Sequence, residues 1–240
     1  MSLAAGGQAL YDASRIGCAL RLGWRAFVVW DRAEVIDRLD FLRRTDPGFT
    51  RFGSARHRYL LNQPLTESAV TAFEARHGVS LPEDYRAFLL EVGDGGAGPF
   101  YGVHRLDRSD LYARDRADLL PGFLAGAFPH TRPWNSLGDG SPEAEEECDD
   151  PALVRGSLNL SHQGCGYMVR LVLNGLQRGT LWEDGRCGDM GITPFAPGFA
   201  AWYLRWLNEP GPGAVASVVR PWERTETEFP AVVPGGSRAA

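Results

Sequence analysis

Between Leu81 and Leu106 the spacing of hydrophobic and polar positions changes character, and this stretch (LPEDYRAFLLEVGDGGAGPFYGVHRL) organises the rest of the chain. Tyr85, Phe88, Leu89 and Val92 fall at i, i+3, i+4 and i+7, which predicts an amphipathic helix with two aromatic and two aliphatic side chains on one core-facing stripe. Pro82 suits the first helical position, where its missing N–H would have had no partner, and Glu83 and Asp84 follow where carboxylates favour the positive helix end. Gly93 is the predicted stop, as a left-handed residue just past the helix. The alternation at Tyr101 and Val103 then predicts a strand.

The same reading places the other elements. Val35, Ile36, Leu39 and Leu42 share a face of a helix from Ala33 to Arg44, with Asp31 as N-cap, Arg43 and Arg44 at the negative end and Pro47-Gly48 beyond it. Leu65 to His77 forms a second helix, with Thr66 as N-cap, Leu65 and Val70 as a hydrophobic staple, Phe73 inward and Gly78 as its cap. Ser109 to Leu120 is a weaker helix ended by Pro121, and Phe123 to Trp134 a further strand. Leu153 to Leu160 and Tyr167 to Leu173 read as strands, and Asn174-Gly175 turns the second into Gly179 to Glu183 as a hairpin. Gly164 and Gly166 around Cys165 indicate a bulge or a close backbone approach. Phe199, Trp202, Tyr203 and Trp206 recur at helical spacing and read as core. Residues 1–30 are loosely patterned and read as an appendage, 31–208 as one domain, and 209–240 as a Pro- and Gly-bearing disordered tail with Val215 to Trp222 as a docking segment within it.

Composition narrows the classes. A chain of 240 residues, 44% hydrophobic and 11% aromatic, supports one sizeable core. All 25 basic residues are arginine, so a P-loop lysine, a Schiff-base lysine and a lysine general base are excluded. No apolar run approaches the ~20 residues needed to cross a bilayer. The first residues lack the basic and apolar regions of a signal peptide. Cys18, Cys148, Cys165 and Cys187 are widely spaced, with no C-x-x-C pair, which suits a reducing cytoplasm. The net charge of -5 argues against a nucleic-acid binder, which needs a concentrated positive face.

Four stretches of the chain offer candidate chemistry. Gly93-Asp94-Gly95-Gly96-Ala97-Gly98 matches G-x-G-x-x-G, but a dinucleotide loop needs a strand before it and a helix N-terminus after it, and here that order is reversed. His162, Cys165 and Cys187 supply three soft ligands without a fourth, so buried free thiols are preferred to zinc and neither metal nor cofactor is expected. Phe49 to Leu61 mixes Arg51, Arg56, His57 and Arg58 with Phe49, Phe52 and Tyr59, which fits either a single-stranded nucleic acid or a structural arm whose aromatics pack down. The five histidines, His57, His77, His104, His130 and His162, stand singly, and Glu183-Asp184 beside Trp182 is the sole acid pair with an acid–base reading, against which hairpin-end acids are normally solvated. The expectation is a protein without enzymatic activity. Residues 138–151 hold seven carboxylates and read as an exposed acidic loop, an anionic decoy or a tolerated insertion.

The motifs carry a resemblance. Leu81-Pro82-x-x-Tyr85, Phe88-Leu89 and Gly95-Gly96-x-Gly98-Pro99-x-Tyr101-Gly102 resemble the signature of the SUKH superfamily, the group around the yeast cell-wall-assembly regulator and many bacterial immunity proteins. Tyr167 to Asp184, Gly191-Ile192-x-Pro194 and the helix from Phe199 to Leu207 resemble that domain's later strands and closing helix. The resemblance implies an α+β fold, a mostly antiparallel sheet with helices packed on one face. It also implies a module that binds proteins: an immunity protein neutralising a cognate bacterial toxin or, as the alternative, a regulatory adaptor of the cell-wall-assembly type. Asp94, Tyr101, Glu183 and Asp184 are the expected contact residues, because the glycine turn and the hairpin are where side chains are presented. An acidic and aromatic surface there would hold a basic toxin.

Overall fold

The computed structural model describes residues 18–21, 26–108, 118, 120–135, 150–186, 188 and 190–209. The order is β1 (Cys18–Arg21), β2 (Ala26–Val29), α1 (Arg32–Thr45), α2 (Ser54–His57), α3 (Glu67–His77), α4 (Glu83–Glu91), a 3₁₀ turn (Pro151–Val154), β3 (Ser157–Gly164), β4 (Tyr167–Val172), β5 (Leu181–Gly185), β6 (Gly191–Ala196) and α5 (Phe199–Asn208). β1 and β2 form a two-stranded ribbon, and β3-β4-β5-β6 an antiparallel sheet in sequence order. This is the expected α+β class.

The apolar stripes account for the helix layer. Val35, Leu39 and Leu42 of α1, Val70 and Phe73 of α3, and Tyr85, Phe88 and Leu89 of α4 are buried with Phe199, Trp202, Tyr203, Trp206 and Leu207 of α5. Period-two alternation puts Leu158, Leu160, Val169, Leu171, Leu181 and Phe195 of the sheet against them. The opposite sheet face has its own cluster of Phe128, Val154, Val172, Trp182 and Ile192. Trp30, at the end of the segment read as an appendage, enters the main core edge-on to Phe88, with ring centroids 5.3 Å apart, and its indole N–H donates to the Asp84 carbonyl at 2.9 Å.

Caps followed the sequence at α1 and α3: Asp31 accepts from the Glu34 N–H, Thr66 from the Ala69 N–H, and Gly78 is left-handed. Ile36 is half-buried while Arg38 of α1 is buried, its guanidinium donating to the Leu207 carbonyl at 2.9 Å. At α4 the ends shift. Pro82 is the N-cap rather than the first helical residue, and Val92 ends the helix in right-handed backbone. Asp84 does more than favour its own helix dipole: its carboxylate accepts the Ala200 N–H at 3.0 Å and caps α5, whose N-cap Gly198 has no side chain to do so. Gly93 is not left-handed. It is required because a Cβ would stand 2.7 Å from the Asn62 carbonyl oxygen. The left-handed residues are Gly95 and Gly96, and Gly96 exchanges both backbone bonds with Val103, so the glycines reverse the chain between helix and sheet.

Three strand expectations change. Tyr101 and Val103 form no strand, Val103 making only an isolated bridge to Gly96. Residues 123–134 form turns and extended loop, interrupted by Pro129 and Pro133, and Trp134 alone makes a bridge, to Ile192. The strand expected from Leu153 begins at Ser157, after the 3₁₀ turn and left-handed Gly156. Gly164, Cys165 and Gly166 form the left-handed turn joining β3 to β4, with a register shift between His162 and Gly164. The helix expected over 109–120 lies, except for Asp118 and Leu120, outside the described residues, as do most of the acidic loop and the tail beyond Glu209. Among the described residues no helix is long and apolar enough to cross a membrane.

Candidate protein-binding surface

The arm after α1, residues 49–60, is held by one carboxylate. Asp46, 2% exposed, accepts the Thr50 N–H at 2.7 Å, the Thr50 hydroxyl at 2.8 Å, the Arg51 N–H at 3.2 Å and the Tyr59 hydroxyl at 2.7 Å. Burial pushes the Asp46 carboxyl up, but these donors together outweigh it and hold the group at about 2. Arg51 ties the arm to the end of α5: it donates to the Trp206 carbonyl and the Glu209 carboxylate, both at 2.6 Å, and lies over the Trp206 ring. The His57 ring packs edge-on against Trp206, and its Nδ1 accepts the Tyr59 N–H at 3.0 Å. Burial, followed by the Arg51 charge, lowers the His57 pKa to about 4, so the imidazole is neutral.

The arm meets two other segments. A Cβ on left-handed Gly53 would fall 1.7 Å from the Phe100 carbonyl oxygen, so the arm's backbone lies directly on the 99–102 loop. That loop lies along the edge of β3, the Tyr101 N–H donating to the His162 carbonyl at 3.3 Å and the His104 N–H to Leu160 at 2.8 Å. Phe52 packs on Tyr101 at 5.2 Å and edge-on to Phe100 at 6.4 Å, while Tyr101 faces the His162 ring at 5.8 Å. Gly164 at the hairpin turn brings the β3–β4 tip to the Tyr101 and Phe52 rings. Beside it, Gln163 donates to Glu183 at 2.8 Å, and burial raises the Glu183 carboxyl more than this bond lowers it. Phe52 nonetheless remains 58% exposed.

Backbone strain gathers at the same place. Six non-glycine residues among those described have φ near +50°, and five of them, Phe49, Arg58, Tyr59, Phe100 and Cys165, belong to these three segments. Left-handed backbone costs an L-residue ~1–2 kcal/mol and persists only where surrounding contacts dictate it.

Of the four expected contact residues, Tyr101 and Glu183 come to this surface half-buried, and Asp94 and Asp184 do not. Asp94 is folded beneath the glycine turn, accepting the Leu106 N–H at 2.8 Å and pairing with Arg105 at 3.3 Å; burial raises its pKa more than these partners lower it. Asp184 lies on the other sheet face between Arg170 and Arg186, each at 2.7 Å. Burial pushes it up, but the two guanidiniums hold it at about 2. Asp94 and Asp184, expected to be presented at the glycine turn and the hairpin, are instead buried against arginines. Phe52, His162 and Gln163 were absent from the expected set; the one signal in the sequence was the aromatic–basic mixture over Phe49 to Leu61.

An antiparallel four-stranded sheet with a helical layer, carrying an aromatic surface where three loops converge, defines an α+β module. The chain belongs to the SMI1 / KNR4 family (SUKH-1), whose family model matches residues 64–204. The match takes in α3, α4, the 99–102 loop, the four-stranded sheet and most of α5; the arm precedes it. No curated protein matches the chain.

Proposed function

We propose that this SUKH protein is a non-enzymatic, cytoplasmic binding module, an immunity protein that engages and neutralises a cognate bacterial toxin through the surface of Tyr101, Phe52 and Glu183. The observation that carries the reading is the convergence of strained backbone on a half-exposed aromatic cluster. Rings held in place by rigid segments lose little freedom on association and act as anchors. Asp94 and Asp184 serve the surface indirectly, Asp94 by holding the loop after the glycine turn and Asp184 by fixing β4 and β5 from behind. The sheet edge supports a side-chain mode of recognition: on β3 the Asn159 N–H and the Leu160 and His162 carbonyls already have partners, so strand addition there would have to displace them.

The test is a pull-down from host lysate with the tagged full chain, the captured protein then purified and titrated. One stoichiometric partner whose toxicity the chain suppresses on co-expression, and whose affinity falls by roughly tenfold or more with Tyr101→Ala, is the expected outcome. Several weak partners with no growth-arrest activity would instead favour a regulatory adaptor.

A further inference from the structure

The arm carries information about the partner's chemistry. Between Asp46 and Glu67 the sequence contains no carboxylate, although the whole chain carries a net charge of -5. Within that gap Phe52, Arg56, Arg58 and Leu60 are exposed, Phe52 and Leu60 by more than half. Arg51 is engaged with Glu209, but neither the Arg56 nor the Arg58 guanidinium has an ion pair or hydrogen bond among the described residues, Arg58 only lying 5.1 Å from the Phe49 ring. Of the two acids that bound the gap, Asp46 is buried and saturated with donors, and Glu67 is paired with Arg86. Of the carboxylates expected to give this region an acidic character, Asp94 and Asp184 are paired with Arg105, Arg170 and Arg186, and Glu183 is half-buried, bonded to Gln163 and raised in pKa by burial. The exposed chemistry of the arm is therefore two cations and two apolar side chains.

We propose that the arm recognises an acidic protein face, one in which carboxylates flank an apolar side chain. The apolar residue covers Phe52 and Leu60, and the carboxylates pair with Arg56 and Arg58. The proposal rests on reading the chain as a protein-binding module and names the chemistry of its partner. A protein fits better than a nucleic acid. Phe52 is tilted against Tyr101 and edge-on to Phe100, Leu60 offers no stacking face, and a polyphosphate needs a longer run of cations than the arm's two exposed arginines, which suffice for a pair of carboxylates. The arm is also preorganised: Asp46 fixes it at both ends, and Arg58 and Tyr59 are held in left-handed backbone. The arm immediately precedes the matched span of residues 64–204.

The test pans a phage-displayed random dodecapeptide library on the immobilised full chain. Selected peptides are synthesised and titrated against the wild type, Phe52→Ala and the Arg56→Ser/Arg58→Ser pair, each checked for an unchanged thermal melt. Expected are peptides combining Asp or Glu with a large apolar residue, bound roughly tenfold more weakly by either variant. The charge pair is also expected to lose most of the salt dependence. Basic or uncharged peptides, no enrichment, or affinities indifferent to both variants would overturn the proposal, as would tighter binding of oligo(dT) lost in the same variants. A stoichiometric partner captured from lysate whose binding survives both variants would sink the acidic-face proposal and leave the binding-module reading standing.

Discussion

The wedge between α4 and α5 and the arm after α1 use the same aromatic chemistry under opposite constraints. In the wedge, Phe88 lies 4.9 Å from Phe199 and 4.8 Å from Tyr203, all three fully buried, and the Tyr203 hydroxyl reaches the Ala97 carbonyl of the glycine turn at 3.0 Å. Burial pushes the Tyr203 pKa up, so the group stays a neutral donor. On the arm, Phe52 leans on Tyr101 yet keeps most of its surface in water. Helical repetition places the first set, and each ring is held by its neighbours. Polar anchors place the second: Asp46 and Arg51 set the backbone, and the ring follows. A ring that the fold does not need is available for something else.

Breaking the wedge should have the larger effect. Phe88→Ala removes a ring shared by α4, α5 and Trp30, and is expected to lower unfolding free energy by ~3–5 kcal/mol in chemical denaturation. Asp46→Ala tests the arm's anchor. It strips the acceptor from two backbone N–H groups and two hydroxyls in a buried setting, with an expected loss of about 2–3 kcal/mol. Hydrogen exchange would localise that loss to residues 49–60, with α4 and α5 still protected. Loss of protection throughout the wedge would contradict the separation of the two regions.

Acid should also act on the arm before the wedge. His57 has a folded pKa of about 4 against an ordinary 6.5, so the unfolded chain binds the proton first. The native advantage is full above pH 6.5 and is lost as pH falls toward 4, by on the order of 3 kcal/mol for this group. Burial lowers His77 and His130 in the same direction. Asp46 and Asp184, both held at about 2, add a second loss confined to the range from about 3.8 down to 2. In a stability-against-pH series, His57→Gln should flatten the upper window and leave the lower one intact; an unchanged slope between pH 6.5 and 4 would remove His57 from the account.

What could be read from the sequence follows the same division. The stripes of α1, α3, α4 and α5 and the β4–β5 hairpin were legible because periodicity is local and each apolar residue signals its own side. Helix ends were legible to within a residue where a cap was a side chain, as at Asp31 and Thr66, but not at Gly93, whose role is a close approach to Asn62 rather than a left-handed turn. The burial of Asp184 depends on strand register, which sets Arg170 opposite Trp182 and therefore diagonal to Asp184. The arm was legible only as composition. Left-handed Phe49, Arg58 and Tyr59 violate local preference and are imposed by tertiary contacts that no short window contains.

The smallest expected effect on stability is the one that sharpens the comparison most. Phe52→Ala deletes a ring from beside Tyr101 without opening a cavity, since water already covers most of it, and should change unfolding free energy by no more than ~0.5 kcal/mol. Phe88→Ala, the same substitution in the wedge, costs several times more. If Phe52→Ala proved as costly as Phe88→Ala, the ring would be a structural keystone for the arm, and its exposure would say nothing about binding. If it proved neutral, the fold would be holding Phe52 in water through Asp46, Arg51 and three left-handed residues without any gain in its own stability. Selection for a contact outside the chain then remains as the physical reason for keeping it there.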